Sequence, residues 1–185
     1  MDIRELQQRY VKAPQAAALL KLLEDEKAEN VFLQGLMASA APLFFAAVAE
    51  KTVRTFLFAL QDADEAGYFY HDLTQVLGTR NVLFFPSSYK RSVRYGQRDS
   101  ANEILRTEVL ARISAREVGC SAPLFIVSHP EALSELVVSK QRLDAQRLSL
   151  RVGGQVDITE VEHTLRSYGF EEVDYVYEPG QFAVR

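Results

Sequence analysis

Residues 2–24 carry apolar side chains at helical spacing, with Leu19, Leu20, Leu22 and Leu23 on one stripe, and Pro14 interrupts the run. Two amphipathic packing helices are predicted there. From residue 31 the pattern changes to short, continuous apolar runs: Val31-Phe32-Leu33, then residues 55–58, 82–85 and 124–127. The segments between them predict helices over 39–50, over 62–77 with Gly78 as the stop, and over 100–115. Pro130 in HPEALSEL stands at the first turn of a further short helix. Fully apolar strands alternating with helices define an α/β class, a parallel sheet flanked by helices on both faces.

From about Arg142 the texture becomes that of a smaller α+β unit. Residues 148–152 alternate like a strand, Gly153-Gly154 turns, 157–168 is helical, and 173–177 is rich in strand formers. Pro179-Gly180 then turns the chain into a strand over 181–185. The organisation expected is an α/β domain over 1–140 and the first part of an α+β domain over 141–185. Since the last strand runs into Arg185, the 185 residues read as a piece of a longer polypeptide.

Composition narrows the classes. A chain with 48% hydrophobic and 25% charged residues is that of a globular protein with a real core, which excludes wholesale disorder. No window approaches the roughly 20 apolar residues of a membrane span, and the charged start MDIRELQQRY lacks a secretory apolar stretch. The single cysteine, Cys120, cannot build a disulfide framework, which points to the cytoplasm. With 21 Lys+Arg against 25 Asp+Glu, the net charge of −4 gives no global pull toward nucleic acid.

The most informative stretch follows the first apolar run: Gln34-Gly35-Leu36-Met37-Ala38-Ser39-Ala40-Ala41-Pro42. Strand, glycine, loop and helix is the setting of the phosphate-binding pattern G-x-x-x-x-G-K-[ST]. Gly35 matches its first glycine, but Ala40 replaces the second, Ala41 the lysine and Pro42 the hydroxyl residue. The cation for the β- and γ-phosphates and the hydroxyl ligand for magnesium are both gone. Pro42 also brings no backbone N–H. An ordinary strand-to-helix turn accounts for the same residues.

At this point the chain resembles the N-terminal UvrB-homology region of the bacterial transcription-repair coupling factors (Mfd). The segments that carry the resemblance are Gly35 to Ala40, similar to that family's GL-x-GSA, then Asp72-Leu73, Leu77-Gly78 and Phe84-Phe85-Pro86. They continue through Ile126-Val127-Ser128, Glu131-Ala132-Leu133, Leu150 to Gly153 and Tyr168-Gly169-Phe170 with Val173-Asp174. The most specific is the closing block from Glu178 to Arg185, EPGQFAVR.

The resemblance implies a degenerate fold like UvrB domain 1a, followed by the start of a domain like UvrB domain 2. It implies a non-catalytic module in which Gly35, Ser39, Ala40, Ala41 and Pro42 no longer bind nucleotide, with no cofactor in this fragment. In the family, an ATP-driven translocase lies elsewhere in the full protein. The implied partner is UvrA, recruited to lesions where RNA polymerase has stalled, with Arg185 and Phe182 as the docking candidates. It further implies masking of the module by intramolecular contacts with the rest of the factor. Two departures stand out: Ala183, and Glu171-Glu172, occupy positions that are basic in UvrB. The tyrosine-rich hairpin of UvrB is also missing from the short segment 87–98.

Other candidate chemistry is thinner. Lys90, Arg91, Arg94 and Arg98 with Tyr89 and Tyr95 form a cationic, aromatic loop of the kind that holds single strands, or a solvated loop on an acidic domain. Phe182 is either an exposed anchor or a core residue. His71, His129 and His163 match no metal spacing, and Glu160 with His163 at i, i+3 reads as a surface pair. Cys120 reads as a structural thiol. The alternatives are therefore a UvrB-type ATP-dependent repair domain and a local single-strand-binding module. The acidic balance argues against DNA contact, and no membrane contact is expected.

Overall fold

The structure, a computed structural model, describes residues 2–25, 27, 29–89, 98–116, 122–146, 148 and 150–184. The chain divides into two compact units, residues 1–87 with 115–135, and residues 88–114 with 136–185.

In the first unit, α1 (Ile3–Val11) and α2 (Pro14–Glu24) meet at Pro14, which opens α2 in the first-turn position that tolerates its missing N–H. Both pack on α3 (Ala40–Ala49), an almost wholly apolar helix. Ala16 and Leu19 of α2 close on Phe44 and Val48 of α3. Of the leucine stripe in α2, Leu19 is buried and Leu22 faces solvent.

Three strands, β1 (Thr55–Ala59), β2 (Val82–Phe85) and β3 (Leu124–Ser128), form a parallel sheet in the order β1-β3-β2. Phe56 lies beside Phe125, and Leu83 beside Ile126. Every residue of the central β3 is buried, as its unbroken apolar run requires. On one sheet face Phe56, Phe58, Phe125, Val127 and Val82 pack against α3 and against α4 (Ala63–Leu77). Asp62 caps α4 by accepting from the N–H groups of Asp64 and Glu65, and Gly78 closes it at φ 75°, a backbone region costly for other residues. The short α6 (Pro130–Ser134) follows β3, with α5 (Ser100–Ser114) before that strand belonging to the second unit.

The run Val31-Phe32-Leu33 is not a strand. Residues 29–36 have no regular structure, and Phe32 is 88% exposed. A strand is held by a hydrogen-bonded neighbour as well as by its composition, and none of the described strands pairs with this run.

In the second unit α5 contacts α7 (Lys140–Ala145), where Lys140 Nζ donates to the Ser114 carbonyl. Then α8 (Ile158–Ser167) leads into β4 (Glu171–Glu172), which pairs in parallel with β5 (Gln181–Phe182). Asp157 caps α8 through the N–H groups of Thr159 and Glu160. At its other end Gly169, at φ 84°, donates to the Arg166 carbonyl while Phe170 N–H reaches the Leu165 carbonyl, a Schellman closure.

Two strands expected here take other forms. The described residues of 148–152 are not in a strand. The strand formers of 173–177 also lie outside the small sheet, which uses Glu171-Glu172 instead. The sharp turn at Gly169 delivers the chain directly to pairing at Glu171, whose N–H donates to the Gly180 carbonyl. The side-chain carbonyl of Gln181 accepts the N–H groups of Tyr177 and Glu178, which shapes residues 177–181 into a loop.

Among the described residues no helix is long and apolar enough to cross a membrane.

Candidate functional site

The loop in front of α3 turns on Gly35 at φ 88° and on Ala38 at φ 46°, a left-handed conformation unusual for alanine. Its hydrogen bonds turn inward. Ala40 N–H donates to the Met37 carbonyl at 3.0 Å, Ala41 N–H to the Ala38 carbonyl at 3.3 Å, and Leu43 N–H to the Ser39 carbonyl at 3.3 Å. Pro42, fully buried, has no N–H to offer. In a phosphate-binding loop the first-turn N–H groups point at the anion. Here those of Ala40 and Ala41 are already engaged with carbonyls of the loop itself, while the Leu43 bond to Ser39 is the ordinary first helical bond of α3.

Ser39 occupies the N-cap position but does not cap. Its hydroxyl donates instead to Asp72 Oδ2 of α4, at 2.6 Å. A carboxylate thus stands at the start of the helix, where a nucleotide would place phosphate, and like charge would oppose that anion. The sequence singled out Gly35, Ser39, Ala40, Ala41 and Pro42, and the structure gathers all five at one turn. It adds Asp72, whose position on α4 could be found only from the fold.

Of the four cations in the basic loop, Lys90, Arg91 and Arg94 lie outside the described residues, as do Arg185 and Cys120. Arg98 is described and is paired with Glu103, Nη1 to Oε1 at 2.9 Å. That hydrogen bond and the charge of Glu103, followed by Tyr89, hold its guanidinium above the usual arginine value. Tyr89 and Arg98 also form an antiparallel bridge.

In the second unit Phe182 is buried, 8% exposed, with the Arg166 guanidinium 5.8 Å from its ring centroid. Arg166 pairs with Glu162 at 3.4 Å and with Glu172, and the Glu172 hydrogen bond is the chief reason its pKa is raised. The i, i+4 spacing of Glu162 and Arg166 is a legible signal for half of this network; the Glu172 half depends on the Schellman turn. Phe182 floors a groove of about 340 Å³ whose wall includes Leu150, Ile158, Val161, Leu165 and Val184. Beside it lies an open cleft formed by Glu172, Val173, Asp174, Tyr175 and Val184. Val184 borders both.

The histidines form no centre. His129 is buried at the end of β3 with Nδ1 4.0 Å from Glu131 Oε2, and among the described residues no three His, Cys, Asp or Glu side chains are grouped to hold a metal ion.

One comparison finds a relative of the chain. The chain is 24% identical over 160 residues to the transcription-repair-coupling factor of Bacillus subtilis (strain 168). It is a distant relative of that factor. The match takes in 86% of this chain and 13% of the Bacillus subtilis protein, so the chain spans a small part of the relative's length. No protein-family model and no solved structure matches the chain.

Proposed function

We propose that this chain is the UvrB-like module of a bacterial transcription-repair coupling factor, a non-catalytic piece that binds UvrA and brings it to lesions where RNA polymerase has stalled. The distant relationship to the Bacillus subtilis transcription-repair-coupling factor supports this reading. The observation that carries the finer reading is the loop before α3. Its leading N–H groups are bonded to the loop's own carbonyls, Pro42 has none, and Asp72 sits on Ser39. A module descended from an ATPase can keep the loop and the helix after it once the groups that hold nucleotide are lost, although the run that leads into the loop here, residues 31–33, is not a strand. On this reading the fragment needs no cofactor and works in the cytoplasm. Its surface contacts UvrA and, in the resting factor, the remainder of the polypeptide.

The docking unit is the second one, with Arg185 and the Phe182 region as candidates. Glu171, Glu172 and Ala183 stand where UvrB is basic, so the contact differs in charge from that of UvrB. The test is a pull-down with purified UvrA from the same organism, comparing this chain, its Arg185→Ala variant and a longer form extending past residue 185. Binding by the chain, weakened by Arg185→Ala, is expected. Failure of the longer form to bind removes the UvrA reading.

A further inference from the structure

From the composition and exposure of the segment that joins α2 to α3, we infer that residues 29–35 are a processing site, cut between Gln34 and Gly35 by a glutamine-specific cysteine endopeptidase. The inference is independent of the UvrA reading. An endopeptidase takes its substrate as an extended strand, with main-chain hydrogen bonds for affinity and pockets for alternate side chains. Residues 29–36 meet that need. They have no regular structure, residues 29–35 are all exposed, and Phe32 is 88% exposed. Among the described residues, their backbone N–H and C=O groups hydrogen-bond to no other part of the chain. Drawn out as a strand, residues 29–36 would span roughly 26 Å, with Phe32 and Gln34 on one side and Val31 and Leu33 on the other. A Cβ placed on Gly35 would meet nothing within 4 Å, so the Gln34–Gly35 bond is open to a nucleophile. Gly35, at φ 88°, turns the chain there, and glycine reaches the extended form at little cost.

The sequence selects the class of enzyme. Residues 29–35 read E-N-V-F-L-Q-G: an acid, an aromatic two residues before the glutamine, an apolar residue, the carboxamide at the bond and glycine beyond it. This is the order read by sequence-selective cysteine endopeptidases whose specificity pocket hydrogen-bonds a glutamine side chain. Gln34 is the only glutamine followed by glycine. Gln15 precedes the small Ala16, but that bond lies within α2 and Ala16 is buried. Gln155 is exposed outside any helix or strand, but it precedes the branched Val156 and follows two glycines, which offer no side chains to the neighbouring pockets. In the reaction the thiolate of the endopeptidase attacks the Gln34 carbonyl carbon, the bond to the Gly35 nitrogen breaks, and that nitrogen leaves as the protonated amine. Water then hydrolyses the thioester and leaves a carboxylate on Gln34. The cut severs the covalent link between the α1–α2 pair and α3, which Ala16 and Leu19 still join through Phe44 and Val48.

The test incubates the full 185-residue chain with a glutamine-specific viral cysteine endopeptidase of the type used to remove fusion tags, and follows the intact mass. One cut, giving fragments 1–34 and 35–185, should proceed within about tenfold of the rate on a free peptide of residues 27–37, because the segment needs no unfolding to enter the cleft. Gln34→Ala should slow it by at least about a hundredfold and Phe32→Ser by roughly tenfold. Both positions are exposed, and circular dichroism verifies that the variants fold. A first cut at any other bond would overturn the site, as would cutting of Gln34→Ala at the unmodified rate. A rate on the chain more than about tenfold below that on the peptide would mean that the bond is reached only through unfolding, and the inference fails. A peptide left uncut would remove the assigned specificity.

Discussion

Ser39 and Asp72, 33 residues apart, are joined by a 2.6 Å hydrogen bond from the serine hydroxyl to the carboxylate Oδ2. The bond ties the loop before α3 to α4 and settles where each group's hydrogen bonding goes. Ser39 gives up the helix-capping role its position offers, and α3 begins instead on turns closed by Met37 and Ala38 carbonyls. Asp72 in turn places negative charge near the amino end of α3, where the helix dipole favours it. A bound phosphate would use the same two features, a free cap and a positive helix end. The loop has filled both from its own chain.

Removing either partner should therefore loosen the loop without unfolding the unit. Ser39→Ala and Asp72→Ala are each expected to cost about 1 kcal/mol, below the roughly 1.5–3 kcal/mol typical of hydrogen bonds to charged groups because this one is exposed to solvent. Urea denaturation at constant m-value gives the numbers, and the double variant should cost less than the sum of the single ones. Strict additivity would mean the two side chains are not coupled.

Ala38 makes the opposite prediction. At φ 46° its Cβ is strained, since the left-handed region costs an L-residue roughly 1–2 kcal/mol. The motif that the segment resembles has glycine at this position. Ala38→Gly should stabilise the chain by about 0.5 kcal/mol, the relief of strain less the added freedom of the unfolded chain. A lower urea midpoint for the glycine variant would refute the strain.

The helices were the most legible part of the sequence, because each carries its own boundaries. Pro14, Asp62, Gly78, Pro130 and Asp157 set the limits of α2, α4, α6 and α8 within a residue or so. Strand composition was less informative. The runs at 55–58, 82–85 and 124–127 became β1, β2 and β3, while the equally apolar 31–33 remained unpaired, since pairing depends on a distant neighbour that no local pattern encodes. Residues 173–177 failed for a nearer reason, the Gln181 side chain drawing Tyr177 and Glu178 into a loop. At the candidate site the missing lysine and hydroxyl could be read directly. The Ser39–Asp72 bond and the groove over Phe182 could not, because each joins segments brought together only by folding.

Burial separates two leucines against their sequence settings, Leu73 standing between Asp72 and Thr74 and Leu57 between Phe56 and Phe58. Leu73 of α4 is 0% exposed in the cluster that joins α3, α4 and the sheet, whereas Leu57 of β1 is 56% exposed. Leu73→Ala should cost about 3 kcal/mol through lost burial and a residual cavity. Leu57→Ala should cost about 0.5 kcal/mol or less. Comparable losses in thermal or urea unfolding would contradict the packing of this face.

Nucleotide supplies the sharpest test of the loop. A ligand that binds only the folded chain stabilises it by about 2.7 kcal/mol at a hundred times its dissociation constant. Millimolar ATP or ADP with magnesium should therefore raise the melting temperature clearly if the loop binds even with modest affinity, and no rise is expected. The same measurement on Ala41→Lys isolates the cause. That substitution restores the cation of the phosphate-binding pattern, but Pro42 still lacks its N–H, the Ala40 N–H still faces the Met37 carbonyl, and Asp72 still occupies Ser39. The variant should remain unresponsive. A nucleotide-dependent rise with Ala41→Lys alone would show that the identity of residue 41, and not closure of the loop on itself, decides whether nucleotide binds. A saturable, magnesium-dependent rise in the unmodified chain would favour the ATPase reading.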